Sequence, residues 1–79
     1  MAYTSTHVDG FLSQLQASRL PSPAIRRDIR LSAGVSCRQL ALLVGVTPMT
    51  VIRWEKGATP HTEHAIRYRE VLDALQSLT

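Results

Sequence analysis

Seventy-nine residues with a formal charge of +3 and a single cysteine describe one small domain with no internal disulfide to staple it. A chain of this size buries about 60% of its extended-chain surface, so only modest stability is expected. No apolar run approaches the roughly 20 residues of a membrane span, and the first residues lack the basic-then-apolar layout of a secretion signal. A reduced cytoplasmic setting is therefore expected, with no membrane partner.

Residues 1–8 are polar and aperiodic and are expected to form a flexible N-terminus. Asp9 is placed to cap a helix carrying Phe11, Leu12, Leu15 and Leu20 that would end near Arg19, so residues 9–20 are expected as an extra N-terminal helix. Pro21-Ser22-Pro23 is a stiff break, because a proline forces the residue before it toward extended backbone. Ser22 as cap and Pro23 at the first helical position then open a helix from Pro23 to Ala33, with Ile25, Ile29 and Ser32 on one stripe. Gly34 stops it, and Val35 turns inward.

The stretch from Cys37 to Lys56 organises the rest. Ser36 caps a helix from Cys37 to Val44 in which Leu40, Ala41 and Val44 recur at helical spacing. Gly45 readily takes the positive φ that ends a helix, and Thr47-Pro48 starts the next, from Pro48 to Lys56, with Val51 and Trp54 on its inner side. Ala41 is small where two crossing helices would come closest, and Leu40, Val44, Val46 and Trp54 close the wedge around Val51. Gly57 ends that helix, Ala58 to His61 form a loop, and Thr62 begins a last helix whose broad apolar face carries Ala65, Ile66, Tyr68, Leu72, Leu75 and Leu78. The fold class is all-α: a small bundle of about five helices, with residues 21–79 as a helix-turn-helix domain.

The run from Ser36 to Gly57 resembles the helix-turn-helix of the XRE family, the phage Cro and repressor type, whose usual pattern is T-Q-x-x-L-A-x-x-L-G-V-S-x-x-T-I-x-x-W-E-x-G. The resemblance implies a DNA-binding domain that partners double-stranded DNA and needs no cofactor. It also implies that Arg30 and Glu55, which match a paired arginine and glutamate of the family, form a structural salt bridge. In the family a short helix commonly follows the last one after a break; here the pattern runs on without Gly or Pro, so that helix is expected to be merged or absent, its space filled by the N-terminal helix.

A recognition helix reads base edges with its outward side chains when it lies in the major groove. Carried over from the family pattern, those positions are Pro48, Met49, Thr50, Ile52, Arg53 and Lys56. Arg53 is the best base reader, since its planar fork matches the two acceptors of guanine. Pro48 and Met49 depart from the polar residues frequent there and suit thymine methyls and groove shape. Arg38, Gln39, Thr47, Thr50 and Lys56 are expected at phosphates. Between Ala24 and Lys56 six cations, Arg26, Arg27, Arg30, Arg38, Arg53 and Lys56, stand against Asp28 and Glu55, a balance that favours a polyanion.

Cys37 replaces a glutamine that commonly anchors a phosphate in the family, and is expected to be inert packing. His61 and His64 lack a third ligand, so no metal site is expected. No nucleophile, base and orienting residue combine, which argues against an enzyme. Leu42, Leu43 and Ile52 are apolar where the motif usually faces solvent, so they are either covered by the N-terminal helix or form a protein interface. Two functions follow: a sequence-specific regulator of the Cro or repressor kind, or an antitoxin-like protein that binds a toxin and regulates its own operon. Homodimerisation is weighed through the N-terminal helix, the C-terminal helix or the Leu42/Leu43 surface.

Overall fold

The computed structural model describes residues 20–78. Four helices follow one another: α1 Pro23–Ser32, α2 Cys37–Val44, α3 Pro48–Glu55 and α4 Thr62–Leu78. The N-terminus expected over 1–8 and the extra helix expected over 9–20 lie outside the described residues, apart from Leu20, which is a bend and not helical, so four helices stand where about five were expected.

Local chemistry starts and stops each helix. The Ser22 hydroxyl accepts from the Ile25 N–H and Pro23 occupies the first turn of α1. At α2 the Ser36 hydroxyl accepts from the Gln39 N–H at 3.0 Å while Gln39 Oε1 accepts from the Ser36 N–H at 2.8 Å. This reciprocal box satisfies two amides that the helix itself leaves bare. Gly45 closes α2 at φ 91°, ψ 34°, the left-handed region that a β-carbon disfavours. Ala33 and Lys56 are the C-caps of α1 and α3, so both helices close one residue earlier than the sequence predicts.

α2 packs on α3, α1 on α3, and α4 lies against both α1 and α2. Leu40, Ala41, Val44, Val51, Trp54, Tyr68, Val71, Leu72, Leu75 and Ile29 form one core, with Leu20, Val35 and Val46 packed at its edge. The Trp54 and Tyr68 rings stack at 4.8 Å between centroids, and His64 lies tilted against Trp54 at 6.1 Å. That contact makes His64 a packing residue of the core's edge.

Two apolar faces differ from expectation. On α1 the inward residues are Arg26, Ile29 and Arg30; Ile25 is 51% exposed and Ser32 lies outside. The inward set keeps helical i, i+3, i+4 spacing but is two-thirds arginine, so a hydrophobic pattern points to the wrong stripe. On α4 Val71 joins the core, Ile66 is only half-buried, and Leu78 is 79% exposed. At 17 residues α4 is roughly 25 Å long and outruns its shorter neighbours among the described helices, which leaves its last turn beyond them.

Candidate nucleic-acid interface

The turn between α2 and α3 is set by the apolar wedge beneath it. Leu40 and Val51 are completely buried, Ala41 and Trp54 nearly so, and Val46 packs against them from the turn. Gly45 and Val46 both donate backbone N–H groups to the Ala41 carbonyl, which finishes α2 and redirects the chain. Thr47 then caps α3, its hydroxyl accepting from the Thr50 N–H and lying 2.9 Å from the Thr50 hydroxyl.

With Val51, Trp54 and the Glu55 carboxylate turned in, the other residues of α3 lie toward the outside. Pro48, Met49, Arg53 and the cap Lys56 are exposed, and Thr50 and Ile52 are half-buried. Arg38 and Gln39 are exposed on the first turn of α2. Gln39 spends its carbonyl oxygen on the capping box, so what it offers an anion is its NH2 group. Cys37, half-buried, lines a groove of about 330 Å³ with Arg27, Arg30, Ile52, Glu55 and Lys56.

At the inner end of that groove Arg30 meets Glu55 as a parallel fork, Nε to Oε2 at 2.7 Å and Nη2 to Oε1 at 2.9 Å. Its remaining Nη1 donates to the Val35 carbonyl at 3.0 Å. The hydrogen bond to Glu55 raises the already high pKa of Arg30 against the opposing effect of burial, so the guanidinium stays charged.

The helix-turn-helix family model matches residues 27–75, more than half of the chain, and spans the α2–turn–α3 unit with the helices that brace it. The chain belongs to the XRE family of helix-turn-helix DNA-binding regulators. No curated protein and no solved structure matches it.

The basic charge of this XRE-family regulator is distributed differently from the sequence tally. Arg26 and Arg30 are only 6% and 8% exposed and bind internal acceptors, so the exposed cations of the motif region are Arg27, Arg38, Arg53 and Lys56. Burial of a cation that serves the fold removes it from the surface field. Arg27, counted in the sequence tally but given no role there, shares the groove with Lys56; only the rotation of α1 reveals that proximity.

Arg26 crosses to α3 as well. Its Nη2 donates to the Trp54 carbonyl at 2.8 Å, its Nη1 to the Pro21 carbonyl at 2.6 Å, and the guanidinium sits 5.5 Å over the Tyr68 ring. Burial pushes the Tyr68 hydroxyl above its ordinary pKa, an effect the Arg26 charge partly offsets. On α2 the described residues leave Leu42 78% and Leu43 47% exposed. None of the four described helices is long and apolar enough to cross a membrane.

Proposed function

We propose that this XRE-family protein is a sequence-specific transcriptional regulator of the Cro or repressor kind that reads the major groove with α3. The observation that carries this reading is the outward stripe of Pro48, Met49, Arg53 and Lys56 on a helix pinned by buried Val51 and Trp54. A helix held on one face and bare on the other is free to enter a groove about 12 Å wide.

Arg53 is the base reader: exposed, planar and able to donate two parallel hydrogen bonds to guanine. Met49, 55% exposed, and Pro48 supply apolar contact for thymine methyls. Thr47 and Thr50, already hydrogen-bonded to each other, stand with Arg38, Gln39 and Lys56 at the flanking phosphates, which position the helix without reading sequence. As a dimer the protein would occupy half-sites about 34 Å apart, one helical turn.

Selection of bound duplexes from a random pool tests the reading, and recovery of a half-site motif is the expected result. Arg53→Ala should flatten the preference, whereas Lys56→Ala should weaken all sequences alike. The reverse pattern would exchange those roles, and a pool with no enrichment would end the proposal. With about five phosphates contacted, log affinity should fall against log salt with a slope of roughly −4 to −5.

Exposed Leu42 and Leu43 favour a second reading, an antitoxin-like role in which α2 also binds a protein. A stoichiometric partner retained from native lysate, and lost with Leu42→Ser, would support it.

A further inference from the structure

Two arginines of α1, one helical turn apart, both reach the C-terminal end of α3. Arg30 takes the Glu55 carboxylate, a fully compensated contact. Arg26 is different. Among the described residues its acceptors are backbone carbonyls, those of Pro21 and Trp54, while its buried Nε and the buried Tyr68 hydroxyl beneath it have no hydrogen-bond partner.

A guanidinium buried this way is a poor source of stability. Its desolvation is only partly offset by two neutral acceptors and the Tyr68 ring, one donor is orphaned, and an apolar side chain of similar volume would avoid both penalties while still packing on that ring. What Arg26 supplies that an apolar residue lacks is direction, because a hydrogen bond prefers a narrow range of angles whereas apolar contact does not. Trp54 follows Arg53 in the chain, and its carbonyl belongs to the last turn of α3.

We propose that Arg26 is a positioning residue for DNA reading, whose hydrogen bonds to Trp54 and Pro21 set the angle at which α3 is presented to the duplex. This rests on α3 being the recognition helix. The eight residues of α3 span about 12 Å, so a tilt of about 10° about its C-terminal end moves Pro48 and its neighbours by roughly 2 Å. Displacement of that size exceeds the roughly 0.5 Å tolerance of a productive contact and takes Pro48 and Met49 off the thymine methyls, while Arg53, two residues from the pivot, moves by only about 0.5 Å. The loss therefore falls chiefly on discrimination between sequences, because the phosphate contacts of Arg38 and Gln39 on α2 and of Lys56 beside the pivot are little moved.

The test is Arg26→Met, with affinity measured for a duplex enriched from a random pool and for an unselected duplex of equal length. The wild-type ratio of the two should fall on the order of tenfold, the scale of one lost base contact. The melting temperature should not drop, and the salt slope should stay unchanged because Arg26 touches no phosphate. Partial unfolding lowers both apparent affinities by the same factor, so the ratio reports presentation of α3 even if the variant is less stable. Arg26→Lys, which can reach one carbonyl, should give an intermediate ratio. A variant ratio within twofold of wild type overturns the role of Arg26 alone. A wild-type ratio of one overturns the reading of α3, and this assignment with it.

Discussion

α3 is held from two sides by opposite chemistry. Toward α2 it presents Val51 and Trp54 to Leu40, Ala41 and Val44, an apolar corner. Toward α1 it presents a carboxylate and a backbone carbonyl to Arg30 and Arg26. The first contact gains from area removed from water and tolerates small rotations; the second gains little net energy but is specific in angle. Adhesion from one neighbour is thus combined with alignment from the other.

The sharpest way to break the polar corner is Glu55→Ala, which strands the buried Arg30 charge and should cost about 3–5 kcal/mol of unfolding free energy in a denaturant titration. Replacing both partners, Arg30→Met with Glu55→Leu, should recover most of that loss, because the desolvation penalty disappears with the charges. A double variant as unstable as the single one would show that the pair is a net stabiliser and that the two corners hold α3 by similar means. On the apolar corner Leu40→Ala should cost about 2–5 kcal/mol, since a fully buried side chain leaves a cavity.

Tyr68 lies at the polar corner under Arg26 and adds a pH dependence. Its folded pKa is raised by burial, so above the ordinary tyrosine value of about 10 the unfolded chain releases a proton that the folded chain retains. Stability should be flat in this respect below that pH and fall as pH rises past it; Tyr68→Phe should remove the alkaline decline, as thermal melts across pH 8 to 11 would record, a range of about three units centred near the ordinary value. The smallest effect belongs to the exposed pair of Arg69 and Asp73 on α4, 3.1 Å apart. Asp73→Ala should change stability by about 0.3–0.5 kcal/mol, and added salt should erase the difference.

Much of the fold was legible because the signals are local. Ser36 with Gln39, Thr47 with Pro48, and Gly45 each act within a turn of the helix they begin or end, so neighbours in sequence suffice to place them. The α2–α3 wedge was legible for the same reason: Leu40, Ala41, Val44, Val51 and Trp54 repeat at helical spacing on both sides of one glycine. The stripe on α1 was misplaced because periodicity weighs side chains by hydrophobicity, and the residues that α1 buries beside Ile29 are arginines.

Arg26 and Arg27 mark the limit of such reasoning. They are the same residue type, adjacent in the chain, yet one is 6% exposed and hydrogen-bonded to α3 while the other is exposed on the groove with Lys56. By itself the sequence determined where the four described helices start and turn, where α1 and α3 stop to within one residue, and which apolar residues wedge α2 against α3. Only the packing of α1 on α3 and α4 decided which arginine is structural and which faces outward, because that depends on the rotation of α1 about its own axis. No local preference sets that rotation; it follows from where the Trp54 and Pro21 carbonyls and the Glu55 carboxylate come to lie in space.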